Sequence, residues 1–368
     1  MAALMIILDG MQDIAYPALG GMTPYEKGKG ESFRKLEEAA QTGKLISTPA
    51  GFEPDTQTCI LHLLGVQPAE IPGGRSYTEA LAVGLTVGDE DLIMRCNFVQ
   101  IDADGNLAVP CCSAPEDIAK ALRAAVEKEG HTIVPVGSYK NLQIIKGARQ
   151  YLEGMVMNLP HQHQGENFES LLPRGNILAD SLADFSREAL RQYAPYTVLN
   201  WAQAVKDDLP LFGNIWQGLT GAMVSKTDAP VGAAIAMGME TLPLPTATGD
   251  TDTDLNAKVA ATLELLGRHD VVMLHIGGPD EATHRQDMVE KADFIAKLDT
   301  DMLAPLLEQV PDGTRILLTC DHVGLCSTAG HTDEPVDFWL YEKGKTLHGD
   351  LGIHSGVEAV AILRGTME

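Results

Sequence analysis

An Asp-His pair followed by a second histidine is the first feature of this sequence that could carry out chemistry. Asp321 and His322 are adjacent, and His331 follows nine residues later. Because adjacent residues point their side chains in different directions, the pair can serve two neighbouring metal ions. Asp280 and His284 are four residues apart, so on a helical turn they lie on one face and can share one cation. The alternative interpretation is that these are ordinary loop residues.

Asp9 and Thr56 could complete such a site, although each also has a simpler explanation. Asp9 precedes Gly10, and an aspartate before a glycine commonly begins a turn. Thr56 stands just before an apolar helical pattern, where a hydroxyl residue most often caps the helix. The same position suits a nucleophile, because the exposed N–H groups of a helix N-terminus stabilise an alkoxide and an incoming phosphate. Further along, Arg75 could bind phosphate oxygens in a bidentate way.

Three short apolar runs are predicted to position these side chains. Residues 4–8, 271–276 and 316–319 have the composition of buried parallel strands, and each run leads into one of the candidate carboxylates. Open α/β sheets bind ligands at the carboxyl ends of such strands. Oxygen and imidazole ligands without a thiolate suit manganese, magnesium or zinc in a paired, open site. The sequence therefore predicts a two-metal site at one edge of an α/β sheet.

Composition and charge narrow the class of protein. The 368 residues include 45% hydrophobic residues and 36 glycines, which is typical of a globular enzyme. The formal net charge of −24 argues against nucleic acid or an anionic membrane as a partner. Six cysteines without a C-x-x-C spacing indicate a reducing compartment, and we find no secretory signal or transmembrane span. We therefore expect a cytoplasmic protein, with the formation of a homo-oligomer left open.

Taken as an ordered set, these residues and their neighbours resemble a known family. The matching segments are Asp9-Gly10, Leu19-Gly20-Gly21-Met22-Thr23-Pro24, Leu63-Leu64-Gly65, Arg95-Cys96-Asn97-Phe98, Pro279-Asp280-Glu281-Ala282-Thr283-His284, Asp321-His322 and His331-Thr332-Asp333-Glu334-Pro335-Val336. They are similar to the metalloenzyme part of the alkaline phosphatase superfamily, and within it to the archaeal-type 2,3-bisphosphoglycerate-independent phosphoglycerate mutases. The resemblance implies a metal-dependent phosphotransferase or mutase of glycolysis that acts on a small phosphorylated metabolite.

The resemblance also implies two divalent metal ions and their ligands. Manganese is the metal we expect, with magnesium and zinc as alternatives. One ion is expected to be held by Asp280, His284 and His331. The other ion is expected to be held by Asp9, Thr56, Asp321 and His322.

Thr56 has a second implied role, as the nucleophile. The family nucleophile is a serine, and counting back from Leu63-Leu64-Gly65 places Thr56 at that position. A threonine keeps the attacking hydroxyl, so we predict a phospho-threonine intermediate. The residues that we predict to bind substrate are Arg75, Arg95 and Asn97.

We predict an α/β fold with an inserted domain. An alkaline-phosphatase-like, three-layer domain with a mostly parallel central sheet is expected to comprise residues 1–98 and 208–368 and to hold the metal and phosphoryl-transfer chemistry. A smaller α+β cap domain that binds substrate is expected to comprise residues 99–207. It contains a predicted helix over 115–129, a strand near 132–136 and a helix over 182–193.

Some cations that the family leads us to expect are missing. Gln217 stands near Trp216 where an arginine is expected, and Val231 stands before Gly232 where a lysine is expected. In the mutases these cations bind phosphoglycerate. We therefore predict weak phosphoglycerate mutase activity that is exceeded by hydrolysis or by transfer on another substrate. The alternatives are a phosphohydrolase, a phosphotransferase such as a homoserine-kinase-like enzyme, and a catalytically weak relative that binds a metabolite.

Overall fold

The computed structural model describes residues 3–207 and 209–366. Its strands are β1 (Ala3–Leu8), β2 (Gln41–Ile46), β3 (Leu92–Ile101), β4 (Leu107–Val109), β5 (Thr132–Pro135), β6 (Asn141–Ile145), β7 (Tyr196–Val205), β8 (Gly221–Val224), β9 (Glu240–Thr241), β10 (Val271–Ile276), β11 (Arg315–Thr319), β12 (Val323–Leu325), β13 (Gly330–Thr332), β14 (Val336–Glu342) and β15 (Asp350–Ser355).

The α-helices alternate with these strands over much of the chain. They are α1 (Pro24–Gly28), α2 (Glu31–Ala39), α3 (Thr56–Leu63), α4 (Ser76–Ala82), α5 (Glu116–Lys128), α6 (Phe168–Leu171), α7 (Ile177–Tyr193), α8 (Phe212–Ile215), α9 (Asp228–Ala236), α10 (Leu255–Leu266), α11 (Gly278–His284), α12 (Met288–Leu298), α13 (Ala304–Gln309) and α14 (Ala359–Arg364). Short 3₁₀ turns lie at Pro17–Leu19, Pro68–Glu70, Arg149–Tyr151, Pro160–Gln162 and Gly356–Glu358, and a π-helical turn lies at Asp299–Leu303.

The chain forms two compact units, each with its own core. The first unit comprises the residues up to Ile71 and those from Leu209 onward, and the inserted unit comprises residues 72–207. The first unit contains an eight-stranded sheet in the order β15-β2-β14-β11-β1-β10-β8-β9. In this sheet β14 is antiparallel to both neighbours, and the remaining pairs are parallel. The predicted α/β class with a mostly parallel central sheet is confirmed.

The centre of this sheet follows from its sequence. β1 pairs in parallel with β10 on one side and with β11 on the other. Each of its six residues is buried, which is the pattern of a parallel strand that is covered on both faces. These three strands therefore end together inside the unit, which brings the residues that follow them to one edge.

The inserted unit is built on an antiparallel sheet. β3 pairs with β7 along one edge and with β6 and β4 along the other, and β6 also pairs with β5. Helix α7 packs on β7, and α5 packs on β5 and β7. This is the α+β composition that we predicted for the second domain.

The first boundary between the units differs from the predicted one. We placed it between residues 98 and 99, whereas the contacts place it after Ile71. The predicted position falls inside β3, which is one continuous strand of ten residues. Since β3 pairs with β7 from Leu92 to Gln100 and with β6 from Leu92 to Arg95, residues 92–98 cannot be separated from the inserted sheet. The second boundary lies next to the predicted one.

Two further features bear on earlier expectations. All six cysteines are free, and all except the half-buried Cys111 are buried. Within the residues that the structure describes, no helix has both the length and the apolar character needed to cross a membrane.

Candidate active site

The predicted carboxylates lie at one edge of the central sheet. Leu8 pairs with Ile276 and Ile7 pairs with Thr319, so β1, β10 and β11 end at the same level. Asp9 and Asp321 follow two of these strands within two residues, and Asp280 lies in the first turn of α11, just after the third.

Asp9, Asp321 and His322 form one group at this edge. The Nε2 atom of His322 lies 3.4 Å from Asp9 Oδ1 and 3.5 Å from Asp321 Oδ2. One possible ligand atom from each residue lies within 4.8 Å of the others, and all three residues are buried. Two carboxylates and one imidazole therefore face each other in a space from which water is largely excluded.

Asp280 is the centre of a second group. Its Oδ2 atom lies 3.1 Å from His284 Nε2, and its Oδ1 atom lies 3.1 Å from His331 Nε2. The ring of His331 stacks on that of His322 with 3.8 Å between the centroids. Asp280, His322 and His331 also bring ligand atoms within 4.8 Å of one another. The two groups therefore meet at His322.

Gly10 is the residue that lets the two groups approach each other. It has a φ of +57°, and a Cβ atom at this position would lie 2.7 Å from Asp280 Oδ1. Any larger residue would push that carboxylate away. The Gly10 N–H donates to Asp321 Oδ1 over 3.1 Å, as does the N–H of His322, so the backbone fixes one oxygen of Asp321 and leaves the other oriented towards His322.

The polar atoms of both groups fit a bound cation. Several of them are buried and find no hydrogen-bond partner among residues 3–207 and 209–366, namely Asp9 Oδ1, Asp280 Oδ1, Asp321 Oδ2, both ring nitrogens of His322, and His331 Nε2. Burial, followed by the negative charges of Asp321 and Asp280, raises the pKa of Asp9 well above its usual value. Unpaired buried ligand atoms and mutually repelling carboxylates are both costly without a counter-ion. A divalent cation would satisfy both.

The orientation of two histidine rings also fits a bound cation. His331 donates from Nδ1 to the carbonyl oxygen of Pro54 over 2.9 Å, and His284 donates from Nδ1 to that of Ala329 over 3.3 Å. In a neutral ring the lone pair is then on Nε2, which is the atom that faces Asp280 in both cases. Metal-binding histidines typically donate their other N–H to a backbone carbonyl in this way.

Thr56 lies at the first position of α3, and it is not the cap of that helix. The cap is Asp55, whose side chain accepts hydrogen bonds from the N–H groups of Gln57 and Thr58. Asp55 also accepts one from the Thr58 hydroxyl over 2.5 Å. The simpler explanation for Thr56 is therefore wrong, because a neighbour performs the capping. Pro54, which contacts His331, ties the start of this helix to the candidate metal centre.

His275 is a residue of the site that sequence reasoning missed. It lies in β10 and is fully buried. Its Nε2 atom lies 3.2 Å from Asp9 Oδ2, and its Nδ1 atom lies 3.2 Å from the hydroxyl of Ser225. Burial is the main reason why its pKa falls to about 4, so the ring is neutral. A histidine inside an otherwise apolar strand was the available signal.

The three residues predicted to bind substrate are all in the inserted unit. Arg95 is buried and forms two charge-assisted hydrogen bonds with Glu79, one of them over 2.5 Å. Arg75 lies 3.2 Å from the same carboxylate and stacks on the ring of Trp201, 4.7 Å from its centroid. Asn97 is buried, and its Oδ1 atom has no hydrogen-bond partner within the part of the chain that the structure describes. Glu79 therefore neutralises part of the positive charge that these arginines could offer to a ligand.

Solved structures share this architecture. A protein from Pyrococcus horikoshii aligns with 100% of the chain and 99% of its own length, at a TM-score of 0.76 and 23% identity. The cofactor-independent phosphoglycerate mutase from Thermoplasma acidophilum aligns over 100% of the chain and 99% of its own length, at a TM-score of 0.60 and 18% identity. The chain thus has the α/β fold of a cofactor-independent phosphoglycerate mutase.

Sequence comparison identifies the family. The chain is 30% identical over 367 residues to the 2,3-bisphosphoglycerate-independent phosphoglycerate mutase of Methanothrix thermoacetophila, covering 94% of this chain and 91% of that protein. The model of the family described as 2,3-bisphosphoglycerate-independent phosphoglycerate mutase matches residues 38–195. The chain belongs to this family. The predicted family and enzyme class, a phosphotransferase or mutase, are confirmed.

Proposed function

We propose that the chain is a phosphoryl-transfer enzyme of the mutase type that acts on a small phosphorylated acid. The names of its relatives indicate phosphoglycerate as the substrate. One observation carries the proposal: two groups of carboxylates and imidazoles lie at the sheet edge next to the start of α3, with the carboxylates and His322 buried, His331 half-buried and His284 exposed.

The proposed cofactors are two divalent metal ions. Manganese is our first choice, with magnesium and zinc as alternatives, because carboxylate and imidazole ligands suit all three. The proposed ligands of one ion are Asp280, His284 and His331. The proposed ligands of the other ion are Asp9, Thr56, Asp321 and His322. Such ions neutralise phosphoryl oxygens and lower the pKa of a bound hydroxyl.

Thr56 is the proposed nucleophile. Its hydroxyl oxygen attacks the phosphorus atom and gives up its proton, the bond from phosphorus to the substrate oxygen breaks, and that oxygen takes up a proton. A second hydroxyl of the same substrate then attacks the phosphorus of phospho-Thr56 and gives up its proton, the bond from phosphorus to Thr56 Oγ1 breaks, and Oγ1 takes up a proton, which restores the threonine. The placement of Thr56 supports this role: Asp55 has taken over the capping of α3, and Thr56 itself remains half-buried at the N-terminal end, where the backbone N–H groups favour an anion.

The substrate-binding role of Arg75, Arg95 and Asn97 remains a proposal about the inserted unit. The unpaired Oδ1 atom of the buried Asn97 supports it. The stacking of Arg75 on Trp201 also supports it, since the contact orients the guanidinium without consuming all of its donors.

A phosphohydrolase is the second candidate. It is favoured by the two positions at which the family leads us to expect cations. Gln217 lies in an exposed turn with a φ of +51°, and Val231 is an apolar residue in the first turn of α9. An enzyme that retains its substrate poorly would lose the phosphoryl group to water, because a mutase needs a closed cleft with the substrate held in it.

A paired assay tests the proposal. The protein loaded with manganese is supplied with 3-phosphoglycerate, and formation of 2-phosphoglycerate and release of phosphate are followed in parallel. The proposal requires metal-dependent interconversion. Phosphate release without interconversion would favour the hydrolase, and the absence of both reactions with every metal would contradict the phosphoryl-transfer reading.

A further inference from the structure

Arg75, Arg95 and Glu79 form a cluster of charges within the inserted unit. Glu79 Oε1 lies 3.2 Å from Arg75 Nε, and both carboxylate oxygens of Glu79 accept hydrogen bonds from Arg95. The side chains of Arg95 and Glu79 are 3% and 4% exposed, whereas 31% of the Arg75 side chain is exposed. Arg75 is therefore the member of the cluster that a ligand can contact.

Trp201 holds the guanidinium group of Arg75 from a second side. The central carbon of this group lies 4.7 Å from the centroid of the Trp201 ring, and the tryptophan is 3% exposed. The terminal amino groups of Arg75 donate no hydrogen bond to any residue between 3 and 207 or between 209 and 366. A guanidinium group that stacks on a ring and faces a carboxylate with Nε thus has a fixed plane and two donors left over.

The backbone beside this arginine is shaped to bring it against the ring. A Cβ atom on Gly74 would lie 2.1 Å from the carbonyl oxygen of Gln203, so glycine is what lets the segment before α4 lie this close to β7. In β7, Ala202 has a φ of +54°, and the pairing with β3 shifts its register at the same place. This is a β-bulge next to Trp201, and bulges commonly re-aim a side chain at a functional site.

We propose that Glu79 and Trp201 are positioning residues, which hold Arg75 so that its two terminal amino groups form a bidentate contact with an oxyanion of the phosphorylated acid, either the carboxylate or the phosphoryl group. This inference rests on the proposed function and narrows it: Arg75 touches the substrate, and Arg95 acts through Glu79 as its counter-ion. A bidentate contact depends on the orientation of the guanidinium plane as well as on its charge.

Charge and orientation predict opposite effects for one substitution. Although burial opposes it, the guanidinium groups of Arg95 and Arg75 hold the pKa of Glu79 below its usual value. Glu79 is therefore ionised at neutral pH and offsets one of the two arginines. If Glu79 acted only through its charge, Glu79→Gln would strengthen the binding of an anion. If Glu79 orients Arg75, the same substitution weakens that binding.

Titration calorimetry on the manganese-loaded protein measures these effects without turnover. We expect Arg75→Met to weaken the binding of 3-phosphoglycerate by roughly 10- to 100-fold, and Glu79→Gln and Trp201→Leu to weaken it by roughly 10-fold. Trp201→Phe keeps an aromatic face for the guanidinium group and should recover most of the binding. The matched control is Glu188→Gln, since Glu188 pairs with Arg191 over 3.1 Å at the exposed side of α7 and its loss should leave the dissociation constant unchanged.

Two truncated probes identify the oxyanion that Arg75 contacts. Glycerol 3-phosphate lacks the carboxylate, and glycerate lacks the phosphoryl group. If Arg75→Met weakens the binding of 3-phosphoglycerate and of only one truncated probe, the inference is supported and the shared group is the one that Arg75 contacts. Equal losses with both truncated probes would indicate a long-range effect of charge and would overturn the inference. Tighter binding of 3-phosphoglycerate in Glu79→Gln would also overturn it.

Arg75→Lys keeps the inference testable if a buried substitution prevents folding. Since Arg75 is partly exposed, this variant should fold, which thermal unfolding checks. Lysine keeps the charge but lacks the planar fork, so binding of 3-phosphoglycerate should fall nearly as far as in Arg75→Met. Binding as tight as in the wild type would show that only the charge matters and would refute the positioning role. Failure of the proposed function would be seen separately, as absent turnover in a wild type that binds 3-phosphoglycerate.

Discussion

In His331 and His284, a single hydrogen bond from the ring to the backbone fixes the orientation of the side chain in the site. Each ring uses Nδ1 to donate to a backbone carbonyl, and each therefore presents Nε2 to Asp280. The carbonyl that His331 uses belongs to Pro54, two residues before Thr56. One hydrogen bond thus fixes a proposed metal ligand and, at the same time, the segment that carries the proposed nucleophile.

The nucleophile can be identified by labelling. After incubation with labelled 3-phosphoglycerate and manganese, mass spectrometry of the peptide that contains Thr56 and Thr58 should place the phosphate on Thr56. Thr56→Val should abolish both labelling and turnover. Thr58→Val is the matched control: the Thr58 hydroxyl donates to Asp55, so its loss should cost about 1 kcal/mol of stability while labelling persists. Normal turnover in Thr56→Val would refute the assignment.

His275 should affect metal binding more than it affects the fold. Its Nε2 atom lies 3.2 Å from Asp9 Oδ2, so it orients one proposed ligand. Residues that orient ligands typically change metal affinity by about 10- to 100-fold when they are replaced. We expect elemental analysis of the wild type after purification with manganese to show well over one equivalent per chain. His275→Leu should retain about one equivalent, with the weaker site lost on dialysis; two tightly held equivalents in this variant would contradict the role.

The residues of the site could be predicted to different extents. Asp9, Asp280 and Asp321 follow apolar runs, and that pattern was sufficient to predict that they lie at one edge of the sheet. His275 was missed because a histidine within a strand gives no sign of which neighbour its ring will face.

At the level of elements, a buried ion pair holds the hairpin that delivers His331. The hairpin consists of β12 and β13, which pair with each other. Lys291 of α12 donates to the carbonyl oxygen of Gly324 over 2.8 Å and to Asp13 over 3.1 Å, and the side chains of both charged residues are 0% exposed. Asp13 also accepts from the N–H of Cys326. Lys291 therefore holds β12 through Gly324, and Asp13 holds the turn after β12 through Cys326.

Breaking this pair should loosen the hairpin. Lys291→Met leaves Asp13 buried without its cation, which typically costs about 3–5 kcal/mol in the free energy of unfolding. Manganese affinity should fall as well, because His331 would be less well positioned. A double-mutant cycle with Asp13→Leu, followed by urea unfolding, measures the coupling: the double variant should lose clearly less than the sum of the two single losses. Additive losses would show that the two charges do not support each other.

One long helical pattern is interrupted in the structure, and the reason is tertiary. The apolar spacing from Met288 to Leu307 would fit a single helix, but the structure has α12, a π-helical turn at Asp299–Leu303, and then α13. The turn places Asp299 so that it accepts hydrogen bonds from the N–H groups of Ser32 and Phe33, at the start of α2. Because Gly30 precedes α2 without a capping side chain, the cap comes from a distant part of the chain, which periodicity cannot reveal.

On the scale of the whole molecule, the proposed metal ligands belong to one unit only. Metal should therefore stabilise the first unit directly, by about 2.7 kcal/mol at a free concentration of 100 times the dissociation constant. The three tryptophans allow each unit to be followed separately, since Trp201 is in the inserted unit and Trp216 and Trp339 are in the first. The variant Trp201→Phe reports on the first unit, and the double variant Trp216→Phe, Trp339→Phe reports on the inserted one.

Thermal unfolding followed by tryptophan fluorescence then tests this assignment. Manganese should raise the unfolding temperature reported by Trp216 and Trp339, and it should have a smaller effect on that reported by Trp201. The same titration with calcium, a poorer match for imidazole ligands, is the control. A larger shift at Trp201 would mean that the principal metal site lies in the inserted unit.

The position of β1 in the sheet has a consequence for how the protein is made. This strand leaves the ribosome long before its two partners, which begin only at Val271 and Arg315. At about 5–20 residues per second, the nascent chain carries an unpaired, fully apolar strand for roughly tens of seconds. During that time β1 is a natural target for chaperones that bind extended apolar segments. It also follows that the proposed metal site can be completed only after His331 has been synthesised and has joined Asp9.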